Sequence, residues 1–268
     1  MNHNSSNLIW IRGAGEIGSA VAISLYNSGF NLVLSEISPP LAIRRSVTFS
    51  DAILEGSTDV KGIQAKRIDV SEIDKLQIQS FIPIAQDNPE LLRRLNPSII
   101  IDARMIKSYQ MDYREWANLV IGYGPGFSTD SNSHVVVETM RGHNLAKLIY
   151  NGEPLKNTGV PGKLGGESKN RVIYSKHSGD LEWICSFGDI VEKDQILGHI
   201  NDTFHIIAPF KGMVRGLIHP SVPLTPGLKI ADVDPRDEGI DFHELSDKAR
   251  SLGRASLEAV LIHLKNQT

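Results

Sequence analysis

Cysteine is almost absent from this chain: Cys185 is the single one in 268 residues. One thiol forms neither an internal disulfide nor a thiolate cage for a metal, so a reducing compartment is the expectation. Positive charge is not in excess either. Lys plus Arg number 28 against 31 Asp plus Glu, a formal net charge of -3, without the basic surplus that polyanion-binding proteins carry. Nucleic acid is therefore not an expected partner. No apolar run approaches the roughly 18 residues of a membrane span, and the first seven residues lack the basic start and apolar stretch of a signal peptide. The expected location is cytoplasmic, away from membrane, where the sequons at Asn4 and Asn201 carry no weight.

Several signatures of chemistry are missing as well. No H-E-x-x-H and no G-x-S-x-G occurs, so zinc-protease and serine-hydrolase readings have no support. Gly162-Lys163 lacks the upstream glycine and following Ser/Thr of a phosphate-binding P-loop. The run from Asp232 to Arg236 begins like a calcium loop, but Asp237 and His243 stand where glycine and glutamate are required. No metal is expected. Cys185 alternates with Trp183 and Phe187, a packing pattern rather than that of a nucleophile.

What is present is an ordinary globular composition, 41% apolar and 22% charged, long enough for one large or two modest domains. Residues 8–151 alternate apolar strands with helical stretches, the pattern of a mostly parallel sheet covered by helices. Strands are expected at 8–11, 31–34, 63–68, 81–85, 98–101 and 119–121, and helices at 16–28, 41–54 and 88–95. A hairpin is expected from 134–139 to 145–150 around Arg141-Gly142-His143. Residues 157–166 hold four glycines and a proline, either a linker or a backbone-rich ligand loop.

An internal repeat follows. Residues 179–200 align without gaps to 212–233, matching Gly179 with Gly212, Leu181 with Val214, Ile184 with Leu217, Val191 with Leu224, Leu197 with Ile230 and Ile200 with Val233. Shared apolar positions suggest two hairpin-like halves around one core. The wording of 188–191 and 207–212 resembles the barrel-sandwich hybrid, or hammerhead, of biotinyl and lipoyl carrier domains. Such carriers present a lysine on the hairpin between the halves, and residues 199–205 contain none, so neither biotin nor lipoate is expected. Residues 241–266 read as a closing helix capped by Ser246, with its apolar face docked on the nucleotide-type domain. The expected class is α/β: a Rossmann-like N-terminal domain (1–165), a β-rich barrel-sandwich hybrid (166–240) and a C-terminal helix (241–268).

The strongest motif is Gly13-Ala14-Gly15-Glu16-Ile17-Gly18, a G-x-G-x-x-G between a strand and a helix. Gly13 allows the tight turn, Gly15 admits a pyrophosphate to the backbone, and Gly18 permits close packing of helix on strand. Glu36, 18 residues after Gly18, is placed to accept ribose hydroxyls. Arg12 adds a cation at the turn, and Glu16 would repel a phosphate if it faced inward. Other polar groups follow expected strands, at the edge where ligands bind in open α/β sheets. These are Asp102, Arg104 and Lys107, then the glycine run with Gly124 and Gly126. The arginine and lysine suit phosphate, and the glycines offer N–H groups to an anion. Each also has a local reading, as a turn cap or a tight loop. His134 and Glu138 share a strand face, with Arg141 and His143 on the turn. Acid/base work, an N/O metal site and a solvated strand face all fit that cluster, the solvated face being preferred to the metal.

Several stretches in this order resemble the YqeB-type family, named for the selenium-dependent molybdenum hydroxylase system. They include residues 11–15, the run PLAIRRSVTFSDA at 40–52, Asp102-Ala103-Arg104-Met105, residues 121–127, 137–143, 157–162, 232–236 and 246–249. The resemblance implies an accessory or maturation protein for a molybdenum hydroxylase, in the manner of XdhC-like proteins that handle the molybdenum cofactor. It implies a molybdopterin dinucleotide as ligand and the hydroxylase apoenzyme as partner; the glycine fingerprint by itself admits NAD(P) as well, and a homo-oligomer is left open. Gly13, Gly15, Gly18 and Glu36 would then meet the nucleotide end, and Arg44, Arg45, Arg104 and Lys107 its anionic groups. Arg44 and Arg45 also read as exposed helix arginines in surface pairs. Two other classes stand beside this one. An NAD(P)-dependent oxidoreductase would use His134, Glu138 or His143 as acid/base groups. A non-catalytic scaffold would carry the glycine fingerprint as a vestige.

Overall fold

Aliphatic runs with no polar alternation make strands that are buried on both faces. In the computed structural model, which describes residues 8–75, 80–157, 171–236, 239 and 241–267, such runs form the centre of the larger of two units. That unit comprises Met1–Ser38, Phe49–Asn157 and Leu245–Thr268; the other comprises Pro39–Thr48 and Thr158–Glu244.

The larger unit contains β1 (Ile9–Arg12), α1 (Glu16–Asn27), β2 (Leu32–Glu36), α2 (Ala52–Glu55), β3 (Ser57–Val60), β4 (Ile63–Arg67), β5 (Ile82–Gln86), α3 (Glu90–Leu95), β6 (Ile99–Asp102), β7 (Leu119–Tyr123), β8 (Val135–Val137), β9 (Leu148–Ile149) and α4 (Asp247–Lys265). Its strands form one nine-stranded sheet in the order β3-β4-β5-β2-β1-β6-β7-β8-β9. The pairs from β4 to β8 are parallel, while β3 on β4 and β9 on β8 are antiparallel. Side chains alternate between two cores, as the two-residue strand period requires. Ile9, Ile11, Leu34 and Ile101 face the α1 and α4 side, and Trp10, Val33, Ala85 and Ile100 face the other.

Helix α4 docks because it lets α1 come close. A side-chain carbon on Gly253 would sit 2.5 Å from the Ala20 carbonyl oxygen. Buried Tyr123 anchors it further, its hydroxyl donating to the Leu252 carbonyl at 2.9 Å and meeting the Ser256 hydroxyl. Ser246 caps the helix by accepting the Ala249 N–H.

The smaller unit is antiparallel. Strands β10 (Val172–Tyr174), β11 (Leu181–Trp183), β12 (Ile190–Val191), β13 (Ile196–Ile200), β14 (Phe204–Ile207), β15 (Gly212–Leu217) and β16 (Lys229–Asp234) form a four-stranded sheet, β10-β16-β15-β12, and a three-stranded one, β11-β13-β14. The aligned apolar positions of the repeat lie in one core, except Ile184, which is past the end of β11 and 57% exposed.

The expected fold class is corrected by this topology to mixed α/β with large multi-strand sheets. A Rossmann-like domain places a helix after each parallel strand. Among the described residues, the segments joining β6 to β7 and β7 to β8 contain none, and both sheet edges are antiparallel. A barrel-sandwich hybrid expects equivalent halves. Here the first half of the repeat splits across both sheets, while β15 and β16 of the second lie in one. The helix expected at 41–54 is a three-residue 3-10 turn, Arg45–Val47, followed by the single turn of α2. Ser46, Val47, Thr48 and Ser50 are poor helix formers behind Pro39-Pro40, which explains the interruption. Strand β3 was not expected; it turns into β4 through Lys61 and Gly62, both at positive φ, as a tight hairpin requires. Residues 158–166 of the glycine-rich stretch lie outside the described residues. Among those described, no helix is long and apolar enough to cross a membrane.

Candidate functional site

The turn from β1 into α1 lies at the carboxyl ends of parallel strands, and each of its glycines meets a different steric demand. Gly13 has φ +91°, and a side-chain carbon there would crowd the Arg104 backbone at 3.1 Å. A carbon on Gly18 would run into the carbonyl oxygen of Gly13. One on Gly15 would meet nothing within 4 Å. Gly15 is also the residue that precedes α1, and no side chain caps that helix start. The turn thus presents an open backbone at the positive end of a helix dipole.

Two backbone donors of the turn are already committed. The Gly13 N–H donates to the Ser35 carbonyl at 2.8 Å, and the Ala14 N–H to Glu36 Oε2 at 2.7 Å. Glu36 Oε1 accepts the Ile37 N–H at 2.8 Å. Burial pushes the Glu36 carboxyl above its ordinary pKa, against the lowering by these two donors. Glu16 faces elsewhere: its carboxylate accepts the Ser246 N–H at 2.8 Å, so it does not place its charge on the turn.

The cations expected to await an anion are instead paired. Arg12, 7% exposed, donates to Asp87 at 2.7 and 3.2 Å and to the Tyr113 hydroxyl at 2.9 Å. Asp87 is held below the usual carboxylate range: burial opposes this, and the Arg12 and Ser35 hydrogen bonds with the charge of Arg104 overcome it. Asp102 accepts both the backbone N–H and the guanidinium Nε of Arg104, at 3.2 and 2.9 Å. Arg104 reaches Gln110 at 2.9 Å and Asp87 at 4.0 Å, closing a network of two arginines and two aspartates. The same Asp-x-Arg clasp recurs at Asp112 and Arg114 and at Asp234 and Arg236. It is a local device, an aspartate accepting from the residue two positions on, closed by a guanidinium.

The remaining candidates separate. Lys107 is exposed. Gly124, at φ +80°, donates its N–H to the Val137 carbonyl, and a carbon on Gly126 would sit 2.5 Å from the Ser108 carbonyl oxygen. That loop spends its glycines on packing. His134 Nδ1 accepts the Val120 N–H at 2.9 Å, and partial burial with nearby Arg114 pushes its pKa down. Glu138, 3% exposed, accepts the Met140 and Leu155 N–H groups at 2.7 and 2.8 Å. His143 is exposed, and Arg141 pairs with Asp247 at 2.6 Å. His134 and Glu138 flank β8 and each serves the backbone, so they form no acid/base pair. Arg44 and Arg45 belong to the smaller unit. Arg44, 8% exposed, donates to the Glu244 carbonyl at 2.9 Å, and Arg45 lies over the Phe187 ring at 5.8 Å. Neither is an exposed helix arginine. Among the described residues no group of three or more His, Cys, Asp or Glu side chains is arranged to hold a metal.

Asp87, Ser35 and Tyr113 were not singled out from sequence. Asp87 had a readable signal: it follows the apolar strand β5 as Asp102 ends β6.

No family model matches the chain. It is 39% identical over 257 residues to an Escherichia coli (strain K12) protein described as "Uncharacterized protein YqeB", covering 95% of this chain and 47% of that one. The chain spans about half the length of this curated relative. Two solved structures are also similar in part. One is an aspartoacylase family protein from Mesorhizobium loti, at 12% identity, 87% coverage of both chains and a TM-score of 0.27. The other is a succinylglutamate desuccinylase/aspartoacylase from Rhodobacter sphaeroides, at 13% identity, 85% coverage of both and a TM-score of 0.26. Likeness at that level carries no argument about this chain's chemistry.

Proposed function

With its similarity to YqeB supporting the YqeB family as premise, we propose that this chain is an accessory protein in the maturation of a molybdenum hydroxylase. It binds a dinucleotide-type ligand at the turn between β1 and α1 and serves the hydroxylase apoenzyme. The observation that carries the reading is Gly15: an open backbone position beside an uncapped helix start. A pyrophosphate seated there receives N–H groups and the helix dipole without displacing a side chain. Glu36 holds the turn in shape through Ala14, and each of its oxygens retains accepting capacity for a ribose hydroxyl. Molybdopterin dinucleotide and NAD(P) share those two groups, and the resemblance to YqeB-type proteins favours the former.

Gly15→Asp tests this reading directly, because a Cβ there meets nothing within 4 Å and the carboxylate brings a negative charge to the turn. Calorimetric titration of the purified chain with NAD, NADP, CTP and a molybdopterin dinucleotide should show binding of the last. The variant should keep the wild-type melting temperature and lose that binding. No binding by the wild type, or equal binding by the variant, would overturn the ligand assignment. Deleting the gene should lower molybdenum hydroxylase activity and cofactor content in the same cells. Normal values in the deletion strain would remove the maturation role.

A further inference from the structure

The smaller unit holds a cavity of about 770 Å³, within the usual size range of small-molecule sites, and nothing in the reading above uses it. Its floor is apolar: Ile200, Ile206 and Ile230 are at most 5% exposed. Towards solvent it is bounded by Tyr174, Phe204 and Ile207, which are 48%, 40% and 46% exposed. Large apolar side chains left open together around a concavity mark a binding surface more often than a lone exposed one does. The Phe204 ring stacks on His177 with centroids 3.7 Å apart and planes 9° from parallel, forming a flat aromatic wall.

The charge of this lining is one-sided. Its ionisable groups with cationic forms are Lys176, Lys193, His177 and His205, and among the described residues it includes no carboxylate. That is notable in a chain whose acidic residues outnumber its lysines and arginines, 31 to 28. Both lysines are exposed, and neither forms an ion pair among the described residues. An apolar floor, an aromatic wall and a cationic rim are complementary to one chemistry.

We propose that this cavity binds a small amphipathic anion, an aliphatic or aromatic body carrying one carboxylate or phosphate head. The body lies on the isoleucine floor against the Phe204–His177 stack, and the head is held at the rim by Lys176 and Lys193. The site is separate in sequence and in unit from the glycine turn, so it stands or falls independently of the nucleotide reading.

The probe is 8-anilinonaphthalene-1-sulfonate, an aromatic anion whose fluorescence rises on apolar burial, titrated into the full chain. Decanoate and decyl phosphate should displace it, and their relative strengths identify the preferred head. Decanol and decyltrimethylammonium should be at least about tenfold weaker. The double variant Lys176→Glu/Lys193→Glu, placed on exposed positions to spare the fold, should lower dye affinity by about tenfold or more at an unchanged melting temperature. Ile207→Trp, filling the mouth, should lower it too, and Gly15→Asp should leave it unchanged. Absence of dye binding to the folded chain, equal displacement by the cation, or undiminished affinity in the double variant would overturn the proposal. So would loss of dye binding in Gly15→Asp.

Discussion

Each unit carries a buried network of arginines and aspartates, and the two are built to different ends. In the larger unit Arg12, Asp87, Asp102 and Arg104 balance in charge, and the outermost side chain, Arg104, is 20% exposed. In the smaller unit Asp232 takes Arg171 and Arg215, both at 2.6 Å, and Asp234 takes Arg215 at 2.9 Å and Arg236 at 2.8 Å. There the two aspartates are 2% and 0% exposed, as buried as Asp102 at 1%, and the outermost side chain, Arg236, is 44% exposed. Removing charges from water is costly, and pairing repays the cost only when geometry is close. Both networks meet that condition. Only the first stands beside an open backbone turn, and its arginines are already paired with aspartates there. A buried arginine is therefore no evidence of function until its neighbours are known.

The comparison predicts that Asp232→Ala is the most damaging single change considered. It takes from Arg171 its carboxylate partner and leaves Arg215 only Asp234, and urea unfolding should show a loss of about 3–5 kcal/mol. Asp102→Ala removes an equally buried carboxylate, yet Arg12 keeps Asp87 and Tyr113, and Arg104 keeps Gln110. The expected loss is about 1–3 kcal/mol. Equal losses in the two variants would break the distinction between a carboxylate that is an arginine's sole ion-pair partner and one whose arginines have other partners.

The same contrast shows what the sequence made legible. Parallel strands were readable because burial on both faces removes polar alternation, and α4 was readable from its period and its Ser246 cap. Strand β3, Ser57-Thr58-Asp59-Val60, was not, since an exposed edge strand needs no apolar pattern. The fold class was misread because helix-free connections and sheet order arise from tertiary pairing rather than local propensity. At the candidate site, the separate steric demands on Gly13, Gly15 and Gly18 follow from their spacing. The partner of Arg12 does not, because Asp87 lies 75 residues away. Arg104 was misjudged for the opposite reason: its partner, Asp102, is two residues away, and the Asp-x-Arg spacing was there to be read.

Glu36 sharpens the comparison from the open side, because it is half-buried at the turn with N–H donors and no arginine hydrogen-bonded to it. Burial raises its pKa in the folded state. A raised value means that its favourable contribution is complete below the unfolded value, about 4.3, and is lost as pH rises through the folded one. Glu36→Gln should flatten that decline between about pH 4.3 and neutrality. An unchanged slope of stability against pH would mean that the turn does not desolvate this carboxylate.

The smallest effect is expected where an arginine–aspartate pair lies open to water. Arg141 and Asp247 are 2.6 Å apart, but their side chains are 36% and 66% exposed, and solvent screening should hold the cost of Arg141→Ala below about 1 kcal/mol. The Arg141 hydrogen bond brings the Asp247 pKa down to about 2. A depressed carboxylate contributes its stability above the unfolded value, near 3.9, and loses it as pH falls through about 2. The difference between wild type and Arg141→Ala in urea unfolding should therefore narrow on acidification towards that value, and also in about 1 M salt, where charges are screened within about 3 Å. A gap that survived both would be one of packing, and Arg141 would then belong with the buried arginines despite its exposure.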